Sequence, residues 1–313
     1  MIRALYSAVS GLTSDQTAMD VIGNNVANLN TTGFKASTAE FSEAYYQTSR
    51  LADSSTPIGL SVGLGTKIAG TVTDFTQGSI AQTGIPSDVA ISGNGYFVVN
   101  TQSTTAASNT YYTRAGDFVV DVNGNLRTVD GYYVQGYSAG TSTQDATETT
   151  GFQSVVQSDF AATDSGSAAI DQTSMSNIVI PSTISSLDAS GNTVTEQVVS
   201  YSVGNNGAIS VIGQNGTSVV VGYLPIALVS ANNGLNSVGG GYYQATEASG
   251  VPTVYEASTN QTGSLQGSAL ELSNADVATQ FSNMIIIQNS YAANAKVIST
   301  SSQMLQVVTN MVQ

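Results

Sequence analysis

Heptad patterns occupy the two ends of this chain, and nothing between the ends repeats them. Leu5, Val9, Leu12, Met19 and Val26 recur in steps of three, four and seven, with Gln16 and Gly23 in the weaker slots. At the other end Val277, Phe281, Met284, Gln288, Tyr291, Ala295, Ile298, Ser302, Leu305, Thr309 and Val312 alternate strictly in steps of four and three. This is the period of a helix that shows one stripe to a neighbour. It predicts an N-terminal helix of about 25 residues, ~37 Å long, and a C-terminal helix of about 36 residues, ~54 Å long. Asn30-Thr31-Thr32-Gly33 ends the first with turn residues and a glycine. Ser273 or Asn274 caps the second, with Asp276 in its first turn. Ile285, Ile287, Val297, Met304 and Val308 widen the second stripe beyond a two-stranded seam, which suits a helix with several neighbours. The expectation is that the terminal helices pair and assemble with other copies. The assembly residues are then Leu5, Val9, Leu12, Met19, Val26, Val277, Phe281, Met284, Tyr291, Ile298, Leu305 and Val312. The alternative is two core helices of one globular domain.

The interior reads as strands. Asp88–Ile91 and Tyr96–Val99 flank Gly93-Asn94-Gly95, and Phe118–Asp121 precedes Asn123-Gly124 with Leu126 beyond it. Val203 leads into Asn206-Gly207, then Ile209, Val211 and Ile212, and Asn215-Gly216 precedes Val219–Val221. Asn-Gly between apolar alternations signals a tight hairpin, so these are antiparallel strands without the βαβ alternation of a parallel sheet. Residues 138–176 are crowded with Ser, Thr, Ala, Asp and Gln and read as an insertion; residues 49–61 read as an exposed connection. The fold class is therefore α+β: paired long terminal helices, coiled-coil-like, flanking an antiparallel all-β core with a small outer insertion. The expected parts are a terminal helical assembly domain (1–32 and 273–313), a connecting region (33–80), a β-rich core (81–137 and 198–272) and the outer insertion (138–197).

Composition removes several functions. Seven Lys and Arg stand against 21 Asp and Glu, with no basic residue between Arg127 and Lys296, which argues against nucleic acid and anionic membranes. Without Cys or His the common zinc, copper and iron–sulfur sites cannot form, and no Ser-His-Asp or Cys-His arrangement exists. Only 9% of residues are charged, so a surface of Ser, Thr, Asn, Gln and Gly can be buried against another copy with few ions to desolvate. No secretory signal peptide is visible, because Ser7, Ser10, Thr13, Ser14, Asp15, Gln16 and Asp20 break any apolar run. The run Met284–Ile287 is far too short to span a bilayer.

The remaining motifs read structurally. Gly93-Asn-Gly95 lacks the third small residue of a dinucleotide fingerprint and precedes a strand. Asp121-Val-Asn123-Gly124-Asn125 and Asp188-Ala-Ser-Gly191-Asn192 look like hairpin turns and not calcium loops. No two carboxylates are marked as a hydrolytic pair. The tyrosine pairs 45–46, 111–112, 132–133 and 242–243 are expected to place one ring inward and one outward. No catalytic, cofactor or metal residues are expected.

Asn24-Asn25-Val26-Ala27-Asn28 followed by Thr31-Thr32-Gly33-Phe34-Lys35 resembles the N-terminal signature of flagellar rod and hook proteins. Val62–Gly65 with Asp74–Gly78, Asp88–Ile91 through Gly95-Tyr96-Phe97, and Tyr112-Thr113-Arg114-Ala115-Gly116 are similar to the segments that follow. Leu270–Val277, Asn283-Met284-Ile285, Gln288–Tyr291 and Asn294-Ala295-Lys296 resemble the C-terminal one. The resemblance implies a non-enzymatic subunit of an axial tube, its terminal helices lining the lumen, with Asn24, Asn25, Ala27, Asn28, Thr32, Gly33 and Phe34 as the family motif. It implies a homopolymer whose partners are rod, hook cap and hook–filament junction proteins. It also implies delivery through the type III export apparatus, unfolded and without a cleaved signal, to the flagellum outside the cell. Val62–Gly84 and the insertion between Gly136 and Val198 look more like a hook than a rod protein, so a hook subunit is the expectation. The distal rod is the alternative, because the insertion is small and the connection from Tyr46 to Ser61 is long. A secreted β-rich adhesin is the reading from another class. Physically, the asparagines would satisfy backbone groups where the first helix ends, and Gly33 would allow positive φ.

Overall fold

The computed structural model describes residues 2–50, 60–101, 110–138, 175–187, 193–258 and 262–312. The chain divides into two compact units, one of Met1–Asn30, Lys35–Thr76 and Ala275–Gln313, the other of Thr31–Phe34 and Gln77–Asn274.

The first unit contains the two terminal helices, α1 (Ile2–Ala27) and α2 (Val277–Val312). Asn28 donates from its backbone and its side chain to the Asn24 carbonyl, at 3.1 and 2.9 Å, which closes the last turn of α1 as expected. The cap of α2 differs from expectation. Asp276, and neither Ser273 nor Asn274, accepts from the Thr279 backbone and hydroxyl at 2.8 and 2.7 Å, and these bonds hold its carboxyl below the usual range. Among the described residues the unit also contains strands β1 (Ser37–Glu43), β2 (Tyr46–Arg50), β3 (Leu60–Gly63) and β4 (Thr66–Thr73). β1 pairs antiparallel with β4, and β2 with β3. Sequence reasoning read this stretch as a connection. Ser37–Glu43 is mostly polar and its faces are half-buried or exposed, so it lacks the apolar alternation that marks a strand. Residues 51–59 of the expected exposed connection lie outside the described residues.

The second unit is antiparallel β. Its strands are β5 (Ile80–Gln82), β6 (Val89–Ser92), β7 (Phe97–Asn100), β8 (Thr110–Thr113), β9 (Phe118–Val120), β10 (Leu126–Thr128) and β11 (Tyr133–Ser138). They continue as β12 (Ser176–Asn177), β13 (Thr183–Leu187), β14 (Thr193–Val203), β15 (Ala208–Gly213), β16 (Ser218–Tyr223) and β17 (Ile226–Leu228). The last are β18 (Asn236–Gly239), β19 (Tyr242–Gln244), β20 (Thr253–Tyr255), β21 (Ser264–Gly267) and β22 (Ala269–Glu271). Among the described residues the largest sheet runs β13-β14-β15-β16-β11-β7-β8-β19-β18, with β9, β10 and β12 joined at its side. The Asn-Gly turns at 123–124, 206–207 and 215–216 join paired neighbours, as the pattern predicts. Gly93-Asn94-Gly95 does not make a hairpin. β6 pairs with β21, while β7 pairs with β8 and β11, so this loop passes the chain from one sheet to another. A turn signal fixes where the chain bends but not which strand it meets. Of the expected insertion, 139–174 and 188–192 lie outside the described residues; its remainder supplies β12, β13 and the start of β14, all paired into the large sheet.

The core of this unit includes Val89, Ile91, Phe97, Phe118, Ile209 and Ile226, with the Phe97 and Phe118 rings edge to face at 5.1 Å. Tyrosines complete it. Tyr242 and Tyr243 are both buried, against the expectation of one in and one out, because β19 lies inside a sheet covered on both faces. Tyr242 packs on Tyr132 and Tyr243 on Tyr96. Tyr112 is buried above half-buried Tyr111, and Tyr45 and Tyr46 are both exposed. Burial pushes the hydroxyls of Tyr112 and Tyr243 up to about 12 from 10.0, the nearby Arg114 charge opposing the shift for Tyr243. Below pH 10 these rings are protonated whether folded or not, and their contribution is fully present. Above it the unfolded chain loses protons that the folded chain keeps, so stability falls as pH rises toward 12. Alkaline titration should show tyrosine ionisation coinciding with loss of β circular dichroism in that window, and Tyr112→Phe should move the transition to higher pH.

Candidate assembly interface

Contacts of three α1 residues set how α1 and α2 meet. Asn25 reaches Gln280, Asp15 reaches Ser290 and Asn294, and Gly11 lies against Asn294. Descending α1 therefore matches climbing α2, and the helices are antiparallel. Asp15 is buried in the seam, accepting from the Ser290 hydroxyl at 3.0 Å and the Asn294 amide at 2.9 Å. Asn25, also buried, donates to Gln280 Oε1 at 3.1 Å and to the Ser37 carbonyl at 2.7 Å, and accepts from the Ser37 N–H at 2.9 Å. Ala8, Gly11 and Ala18 keep the seam thin; a Cβ on Gly11 would sit 2.7 Å from Asn294 Nδ2.

The fully buried positions of this seam differ from the residues the periodicity picked out. The buried residues on α1 are Ala8, Ser14, Asp15, Ala18, Ile22 and Asn25, and those on α2, among the described side chains, are Gln280 and Ser301. Several of these precede an expected seam residue by one position, which is about 100° of helix rotation. Of the expected set, Leu5, Leu12, Met19, Val26, Met284 and Ile298 are half-buried. Val9, Val277, Phe281, Tyr291 and Leu305 are exposed in the single chain, and the Val312 side chain lies outside the described residues. The small and polar residues face the chain's own partner, and many large apolar ones face away. Sequence reasoning missed Asp15 and Asn25 as seam residues because polar side chains score against burial. Their signal was the heptad spacing they share with Ala8, Ala18 and Ile22.

In the second unit the recurrent motifs converge on one buried ion pair. Arg114 Nη1 lies 3.1 Å from Glu271 Oε2, with both side chains almost fully buried. Arg114 Nη2 also donates to the Gly93 carbonyl at 2.8 Å, and its guanidinium lies 5.4 Å from the Tyr96 ring centre. Glu271 Oε1 accepts from the Gly78 N–H at 2.9 Å, and its carbonyl accepts from the Gly33 N–H at 2.8 Å. The Phe34 carbonyl accepts from the Asn274 N–H at 3.3 Å. Gly33 has φ of 66°, and a Cβ there would meet the Arg114 carbonyl carbon at 2.6 Å, so only glycine fits. Of the other family-motif residues, Thr32, Phe34 and Asn28 are half-buried, and Asn24 and Ala27 are exposed.

Among the described residues no helix is long and apolar enough to cross a membrane. Profiles of one family match in chain order: the flagella basal body rod protein over residues 5–35, the flagellar hook protein FlgE/F/G D1 domain over 90–211, and the flagellar basal body rod FlgEFG protein C-terminal over 266–311. The flagellar basal-body rod protein FlgG of Bacillus subtilis (strain 168) is 32% identical over 318 aligned residues, 99% of this chain and 99% of that protein. The chain belongs to the flagellar rod and hook axial protein family. Members are structural parts of the flagellum and not enzymes. The flagellar hook protein FlgE of Helicobacter mustelae is 44% identical over 143 residues, which is 44% of this chain and 31% of that protein. The solved structure of Helicobacter pylori flagellar hook protein FlgE2 is similar over 59% of this chain and 99% of its own, at 12% identity and a TM-score of 0.38.

Two substitutions test these contacts. Arg114→Met strands a buried carboxylate and should cost about 3–5 kcal/mol, whereas Arg114→Met with Glu271→Gln should recover much of that loss in urea denaturation. Asp15→Ala leaves the Ser290 and Asn294 donors unpaired at about 1–3 kcal/mol, and should speed amide exchange along α1 and α2 without altering exchange in the β unit.

Proposed function

We propose that this chain is a subunit of the distal rod of the flagellar basal body, polymerising with copies of itself into a straight tube. The observation that carries the reading is its end-to-end alignment with a rod protein of matching length. The hook expectation yields to it, because the hook match covers less than a third of that longer protein. Strands β2 and β3, in the stretch where a long connection favours the rod, add to the support. The outer insertion that favoured the hook is small for that role.

Assembly follows from the helices. Phe281, Ile285, Ile286, Tyr291, Leu305 and Val308 leave exposed apolar surface on α2 among the described residues. Isolated stripes of this kind are buried by neighbouring copies, and head-to-tail contacts that do not close give a helical polymer. Other axial proteins occupy the two ends of such a tube, and the subunits arrive through the flagellar type III export apparatus.

Negative-stain microscopy of concentrated protein should show straight tubes. Curved tubes would restore the hook reading, and monomers at every concentration would favour a secreted β-rich protein. Leu305→Asp should abolish tubes while leaving circular dichroism unchanged, because the carboxylate is solvated in the single chain and desolvated in the tube.

A further inference from the structure

The two terminal helices differ in length, and their register shows where the excess lies. Asn25 meets Gln280, Asp15 meets Ser290, and Gly11 meets Asn294. Continued at the same pace, this pairing sets Ala4 beside Ser301, which is buried. α1 then runs out, while α2 continues to Val312. The last nine residues of α2, 304–312, form an overhang of ~13 Å. Met304, Leu305, Val307, Val308 and Met311 are exposed along it, and from Val297 to Val312 the helix carries no charge.

Beside the α1–α2 seam the same unit holds an open groove of about 640 Å³. Its lining includes Ala4, Ser7, Ala8, Gly11, Ile287 and Val297. Apart from Asp15, the wall contributed by α1 is small side chains, which allow another backbone to come close. The one carboxylate at the groove, Asp15, is already held by Ser290 and Asn294, so the groove presents no unpartnered charge to a visitor. An uncharged apolar row at a spacing of three and four (Met304, Val307 or Val308, Met311) matches that lining. The overhang does not turn back into its own groove, because α2 runs unbroken from Val277 to Val312 and carries these residues past it.

We propose that the overhang of one copy, residues 304–312, docks in the α1–α2 groove of the next. The inference rests on the polymer reading above and names the contact that propagates it. Donor and acceptor are different surfaces of one chain, so the contact is head-to-tail and does not close on a dimer.

The chain has no cysteine, so engineered thiols report the contact directly. Ser7 lies opposite the region of Ile298, and Val308 is ten residues further on, ~15 Å along the axis. A disulfide needs Cβ atoms within ~4.5 Å, so a bridge between positions 7 and 308 forms only between copies. Tubes assembled from a mixture of S7C and V308C chains, oxidised and run without reductant, should give covalent dimers at roughly tenfold the yield of either variant alone. Chains carrying both substitutions should give a ladder of rising size. Tubes that form normally but yield neither product, with A4C and M311C equally silent, would overturn the docking while leaving the polymer reading in place. Dimers from V308C alone would overturn it as well, since overhangs would then meet each other. Failure of the unmodified chain to form tubes would defeat the polymer reading and this contact together.

Discussion

The hydrogen bonds of Asp15 and Asn25 across the helix seam decide what the rest of the helical unit can do. A buried carboxylate tolerates one rotation of its helix, the one in which Ser290 and Asn294 point at it. Asn25 fixes the second point by binding Gln280 and the start of β1 together. Two polar contacts about ten residues apart set both register and rotation, as polar residues at seam positions of coiled coils do. With the rotation fixed, the large apolar residues have no choice of face. Ile285, Ile286, Tyr291 and Leu305 remain outside because Ser, Asn and Gln occupy the inside. The single chain thus gives up apolar burial within itself.

A buried ion pair plays the corresponding part in the β unit. Arg114 and Glu271 are far apart in sequence, yet their contacts collect Gly33, Gly78, Gly93 and Tyr96 around one point. Thr31–Phe34, Gln77–Gly78 and Glu271–Asn274 are the stretches next to which the chain passes into or out of this unit. Tying them to one salt bridge couples the integrity of all three. Such a pair adds little net stability over an apolar replacement, but losing one member is expensive. That asymmetry favours a role in fixing geometry over one in raising stability.

The low charge of the chain fits both arrangements. Surfaces made of Ser, Thr, Asn and Gln can be covered or left wet at small cost, provided each group finds a donor or acceptor. An uncharged overhang and a groove of small residues would suit the proposed contact between copies, which then desolvates no ions.

The sequence by itself determined that the termini are helices, that the interior is antiparallel strands, and where three of the Asn-Gly turns fall. These are local properties: periodicity, turn chemistry and capping act within a few residues of the chain. The sequence motifs also sufficed to name the family. Only the tertiary structure decided which face of each helix meets the other. Heptad spacing is satisfied equally by the row through Val9 and Leu12 and by the row through Ala8 and Asp15, one position away. Nor could local pattern foresee that β6 and β7 part into different sheets, that Tyr242 and Tyr243 are both buried, or that polar Ser37–Glu43 is a strand. Each depends on what lies opposite in space. Arg114 and Glu271 make the point most sharply. They stand in two motifs far apart in the sequence, and only the fold brings them within 3.1 Å as a buried pair.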